Sequence, residues 1–124
     1  MRKKSRTSSQ IRIERIQSRM TEVISLIIQN ELKDPSVSPL ASVLRVNVTK
    51  DLRYAKVFVT VMGTDEEKNE TIAALKRATG YIKKEIALRL NLRIVPQPTF
   101  VLDNSIDYGM RINDILSKLN GNEQ

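Results

Sequence analysis

The sequence predicts a single α+β domain in which a small three-stranded mixed sheet carries helices on one face. Three observations predict it. Apolar residues recur at steps of three and four from Ile13 to Ile27, two β-branched runs alternate with period two between residues 43 and 62, and a second apolar stripe runs from Ile72 to Leu90. The length of 124 residues fits one domain, and 40% hydrophobic content is enough for a core.

In the first segment Ile13, Ile16, Met20, Val23, Ile24 and Ile27 share a stripe, while Arg12, Arg15, Arg19 and Glu22 occupy other faces. Pro35 disfavours helical backbone at Asp34 and has no amide proton, so the helix should end near Leu32, with DPSVSPLAS as a loop. The runs VLRVNVT and AKVFVTVM, with KDLRY between them, read as a hairpin. Leu44, Val46 and Val48 are expected on one face of its first strand, and Arg45 and Asn47 on the other.

GTDEEKNE supplies turn residues and then acids suited to the positive end of a helix dipole. The stripe that follows uses Ile72, Leu75, Ala78 or Thr79, Ile82, Ile86 and Leu90, and it keeps phase through Gly80, which lies off it. Glycine inside a helix costs about 1 kcal/mol relative to alanine. Two helices with a bend at Ala78, Thr79 and Gly80 are therefore predicted, Gly80 permitting the bend. Pro96 and Pro98 confine TFVLD to a short edge strand, expected beside the first strand and parallel to it. Tyr108, Ile112, Ile115, Leu116 and Leu119 suggest a terminal helix before a frayed NGNEQ.

Composition narrows function. The absence of cysteine excludes disulfides, thiolate metal sites and cysteine nucleophiles, and the absence of histidine removes the commonest general base and zinc ligand. The longest apolar stretch, VISLII, is far too short to cross a bilayer, and the basic start lacks the uninterrupted apolar run of a secretory signal. A cytoplasmic, membrane-free monomer is expected. A formal charge of +7 favours a polyanionic partner. The charge is polarised: residues 1–20 hold seven cations against Glu14 alone, whereas Arg111 and Lys118 face four acids in residues 101–124. Lys76, Arg77, Lys83 and Lys84 lie three and four residues from Gly80, so the outside of the bend should be electropositive.

The element order α-β-β-α-α-β matches the type II KH fold, and DLRYAKVFVTV, ATGYIKKEI and LRIVPQPTFVLDNS closely resemble the ribosome-binding factor A family over nearly the whole chain. Ordinary KH domains clamp the nucleic-acid backbone with a Gly-x-x-Gly loop. The family resembles a KH domain with an Ala-x-Gly kink in that place, which falls here on Ala78, Thr79 and Gly80. The resemblance implies a basic arm over residues 1–10, a KH-like RNA-binding domain over 11–103, and a C-terminal helix and tail over 104–124. It also implies a non-enzymatic assembly factor, without metal or cofactor, that binds free small (30S) ribosomal subunits or precursors and assists late maturation of 16S rRNA near its 5′ end, with ribosomal proteins as further contacts.

The expected RNA-facing residues are Lys3, Lys4, Arg6, Arg12, Arg15, Arg19, Arg45, Lys76, Arg77, Lys83 and Lys84, on one surface. The competing reading is a structural bend with solvated lysines. Tyr54 and Tyr81 are expected in the core, Phe100 likewise, and Arg93 in a structural role, while Asp103 and Ser105 would cap the terminal helix. Two other functions compete: a general nucleic-acid-binding adaptor, and a metal-dependent RNA-processing enzyme using Asp103 and Asp107, which the lack of histidine disfavours.

Overall fold

A reciprocal cap starts the first helix. In the computed structural model, which describes residues 7–104, Thr7 Oγ1 accepts a hydrogen bond from the Gln10 amide at 3.1 Å, and the Gln10 side chain accepts one from the Thr7 amide at 2.9 Å. Two of the four amides that a helix start leaves without partners are thereby satisfied. Helix α1 (Ser8–Leu26) thus begins inside the basic N-terminal segment and buries Ile16, Met20 and Ile24 at the predicted spacing. Its last turn widens into a π-helical turn, Ile27–Glu31, closed by the Leu32 amide on the Ile27 carbonyl. The wider turn buries two consecutive side chains, Ile27 and Ile28.

Strands β1 (Ala41–Val48) and β2 (Tyr54–Val61) form the predicted antiparallel hairpin. The register shifts between Val43 and Arg45. Leu44 is the extra residue of this bulge, so it leaves the inner face on which the alternating pattern had placed it; Ala41, Val43, Val46 and Val48 face inward. A capping box of Thr64 and Glu67 opens α2 (Asp65–Arg77), with Asp65, Glu66 and Glu67 in its first turn. Helix α3 (Thr79–Leu90) follows after one residue and ends on Asn91 in the left-handed region. Strand β3 (Gln97–Leu102) completes the sheet.

The third strand lies beside β2 and parallel to it, from Tyr54↔Gln97 to Val59↔Leu102, giving the order β1-β2-β3. It is therefore antiparallel to β1, which corrects the expected neighbour. The reason is connectivity: α2 and α3 form the crossover of a β-α-α-β unit, and such a crossover most simply returns the chain to the strand it has just left. The mixed sheet and edge position of Pro98 are as predicted.

Helices cover one face of the sheet, α1 over β1 and α2 over β3. Ile24, Leu75, Ile82 and Ile86 meet Val57, Val59 and Phe100 in the core between these layers. The loop before β1 is fastened to α2 by fully buried Thr71, whose hydroxyl accepts from the Ser38 amide at 3.1 Å and donates to the Glu67 carbonyl at 2.9 Å. The expected terminal helix lies outside the described residues.

Candidate RNA-binding surface

The bend is present and centred on Ala78. Its backbone takes φ −87° and ψ 1°, off the helical region, and its amide is shared between the Ala74 and Leu75 carbonyls at 3.0 and 3.1 Å. Thr79 Oγ1 donates to the Leu75 carbonyl at 3.2 Å, and the Ile82 amide to the Ala78 carbonyl at 2.9 Å, so each helix end finds partners across the break. Leu75 before the bend and Ile82 after it are fully buried, which fixes the angle by packing.

Gly80 is not the residue that bends. No glycine among the described residues has positive φ, and a Cβ built on Gly80 meets no heavy atom within 4 Å. The expectation that Gly80 permits the turn is therefore corrected: alanine would fit there. Because alanine restricts the unfolded chain without straining this backbone, Gly80→Ala should raise stability by about 0.4–1 kcal/mol in urea unfolding. A loss of stability would mean that glycine is needed for the backbone after all.

Helices α1 and α3 pack antiparallel, and contacts along them show which cations meet. Arg77 pairs with Asp34 at 2.9 Å and Tyr81 donates to Glu31 at 2.7 Å near one end, while Arg19 Nη2 donates to the Arg89 carbonyl at 3.3 Å farther along. At the other end Arg12 lines a cleft with Ile16, Leu52, Arg93 and Ile94. Residues 7 and 31 stand roughly 36 Å apart on a helical rise of 1.5 Å per residue. The described cations therefore separate into groups at opposite ends of α1, with exposed Arg15 and Arg19 between, instead of one compact patch. Lys3, Lys4 and Arg6 lie outside the described residues. Arg45 sits on the side of the sheet away from the helices, over the Phe58 ring at 3.9 Å.

Within the bend group the four cations differ. Lys76 and Lys84 are exposed, Arg77 is held by Asp34, and half-buried Lys83 donates to Gln97 Oε1 at 3.0 Å. Asp34 is kept below its ordinary carboxylate range by the Ser36 amide first and Arg77 second. Of the four, Arg77 alone has its charge offset by a carboxylate partner among the described residues, while Lys76 and Lys84 are the two exposed lysines at the bend.

Behind the bend Arg89 binds the carboxylates of Glu31 and Glu85. Hydrogen bonds from Arg89, and then from Tyr81, hold Glu31 below its ordinary value of 4.5. A depressed folded value means that this contribution is complete above about 4.5 and is lost as pH falls through the lower folded value. Arg89→Met should therefore lower the melting temperature at pH 7 and narrow the difference from wild type in acid; a constant difference from pH 7 to pH 3 would contradict the linkage. The Glu85–Arg89 spacing is legible in sequence as an i,i+4 pair, but Glu31 is 58 residues from Arg89 and carries no local signal.

Both tyrosines expected in the core are exposed, Tyr54 by 57% and Tyr81 by 44%. Tyr54 opens β2 on its outer face, and Tyr81 reaches across the helix surface to Glu31; the core at those levels is filled by Val57, Ile82 and Ile86. Phe100 is buried as predicted. Arg93 is exposed beside Arg12, so it joins the basic end of α1; its position after the α3 stop was the available signal. Asp103 pairs with Arg45 at 3.4 Å, whereas Ser105 and Asp107 lie outside the described residues. No described helix is long and apolar enough to cross a membrane.

A sequence model of ribosome-binding factor A matches residues 12–116. A relative named ribosome-binding factor A, from Acetivibrio thermocellus, is 53% identical over 107 residues, covering 86% of this chain and 87% of its own. The chain belongs to the ribosome-binding factor A family. The crystal structure of ribosome-binding factor A from Thermus thermophilus shares the fold, with a TM-score of 0.66 at 22% identity over 75% of this chain and 97% of that one. A homology model of the Thermus thermophilus factor, fitted into a cryo-EM map of its complex with the 30S subunit, aligns at 25% identity with a TM-score of 0.60, covering 71% and 91%. The break between α2 and α3 falls where Ala78, Thr79 and Gly80 are expected to bend, with Ala78 at the pivot.

Proposed function

We propose that this chain is a non-enzymatic assembly factor that binds free small (30S) ribosomal subunits or their precursors and assists late maturation of 16S rRNA near its 5′ end. The observation that carries the reading is the relative fitted into the map of a 30S complex, joined to membership of its family. The surface chemistry supports RNA binding: Lys76 and Lys84 at the bend, and Arg12, Arg15 and Arg93 along and beyond α1, are exposed cations available to phosphates. Asp103, one half of the carboxylate pair that a metal-dependent nuclease would use, is engaged by Arg45. Binding favours the mature rRNA conformation only through higher affinity for it, and processing then belongs to separate nucleases.

Gly80 gains a role in this reading. Nothing in the described fold needs a glycine there, yet the position lies open between Lys76 and Lys84. The missing side chain leaves room for an RNA backbone to approach the helix. Depleting the protein from cells tests the maturation step: small subunits should accumulate 16S rRNA with an unprocessed 5′ end, restored by the wild-type chain. Normal 5′ ends in depleted cells would contradict it.

A further inference from the structure

The described helices leave one face of the sheet open. On that face β2 presents Tyr54, Lys56 and Phe58 in alternation, flanked by Arg45 and Asn47 of β1 and Thr99 of β3. Tyr54 and Phe58, four residues apart on one strand, are separated by roughly 13 Å. An occupant of both rings is therefore an extended chain. Between them lies a concavity of about 470 Å³ lined by Asn47, Thr49, Lys56 and Thr99 as well as the two rings.

Each ring is placed by its surroundings. Tyr54 is held at the strand start by two hydrogen bonds with Thr49, the Thr49 amide donating to the Tyr54 carbonyl at 2.9 Å and the Tyr54 amide to the side-chain Thr49 Oγ1 at 3.1 Å. The residue remains 57% exposed. Arg45 stacks over Phe58, anchored by Asp103, and Lys56 Nζ lies 5.9 Å from the same ring centroid. Arg45 keeps 53% of its side chain exposed. The hairpin turn next to Tyr54 adds exposed Lys50 and Arg53, so four cations stand on or beside this face against Asp51 and Asp103.

We infer that this open face is a stacking platform for single-stranded RNA, with bases on Tyr54 and beside the Arg45–Phe58 stack, and phosphates on Lys56, Lys50 and Arg53. Aromatic rings alternating with cations select unpaired nucleotides, because a duplex keeps its base faces stacked and inaccessible. The side chains of Asn47 and Thr99 supply hydrogen-bonding groups for base edges. This inference rests on the RNA-binding reading above, and adds a contact on the opposite side of the sheet from the bend.

The test is binding of a short oligouridylate and a short RNA duplex to the full chain, followed by anisotropy of labelled RNA, with thermal melting as a folding control. Tyr54→Ala should weaken oligouridylate binding about fivefold or more, since one base stacked on an aromatic side chain contributes roughly 1–3 kcal/mol. Phe58→Leu, which keeps apolar bulk but removes the ring under Arg45, should weaken it in the same direction. Duplex binding and melting of Tyr54→Ala should stay near wild type. Oligouridylate binding that is absent in wild type, or unchanged or tighter in Tyr54→Ala, overturns the platform. Loss of small-subunit binding in Tyr54→Ala with oligouridylate binding intact would also overturn it, assigning the face to a protein. If wild type binds oligouridylate through Tyr54 yet ignores small subunits, the platform stands and the assembly reading fails.

Discussion

Lys76→Glu combined with Lys84→Glu will lower small-subunit affinity tenfold or more at moderate salt while leaving the melting temperature close to wild type. Both side chains are exposed and neither forms an ion pair among the described residues, so reversing them breaks no salt bridge there, and the loss of Lys76 from the last turn of α2 is a small dipole effect. Each phosphate contact contributes about 0.9 on B-form DNA and about 0.7 on single strands to the magnitude of the slope of log affinity against log salt, so losing two such contacts should flatten the slope by about 1.4–1.8. Lys83 is a poorer probe because it is tied to Gln97, and Arg77 because Asp34 already holds it. Equal affinity and slope in the variant would remove the bend from the interface.

Leu75→Ala should destabilise the fold far more than Arg89→Met or the lysine reversals. Leu75 is fully buried as the last large core side chain of α2 before the bend, and it faces Ile82 and the strands. Truncating such a leucine costs about 2–5 kcal/mol, through lost burial and the cavity left behind. That is a large part of the roughly 5–15 kcal/mol that typically separates folded from unfolded domains. Urea unfolding should show a lower midpoint with an unchanged slope. A shift below about 1 kcal/mol would mean that the bend region collapses around the gap and that its angle is not set by packing.

Much of the fold was legible because it rests on local periodicity. The stripes Ile16–Met20–Ile24 and Leu75–Ile82–Ile86 are written in the spacing of apolar residues, and the Thr64–Glu67 cap follows from a threonine three residues before an acid. What failed depends on contacts distant in sequence. The bulge at Leu44 appears only when β1 is paired with β2, and the neighbour of β3 is decided by the crossover of α2 and α3. Glycine drew attention to position 80 by its backbone freedom, yet the break uses Ala78, where the off-helix backbone keeps negative φ and needs no glycine.

The candidate site was legible as a list of cations and illegible as a surface. Sequence spacing correctly gathers Lys76, Arg77, Lys83 and Lys84 around one helix break, but it cannot show Asp34 arriving from 43 residues away to occupy Arg77. Nor does it show that α1 carries Arg12 to the far end from the bend, although the alternation along β1 does place Arg45 opposite the apolar face, where it lies over Phe58. The exposure of Tyr54 likewise depends on which sheet face the helices leave bare.

Cosedimentation of the purified chain with free small subunits, free large subunits and joined ribosomes, repeated across a salt series, tests the central claim most directly. The protein should pellet with free small subunits in preference to the other two, and its binding should fall steeply as salt rises. Equal binding to all three particles and to bulk duplex DNA, or binding to none of them, would contradict it.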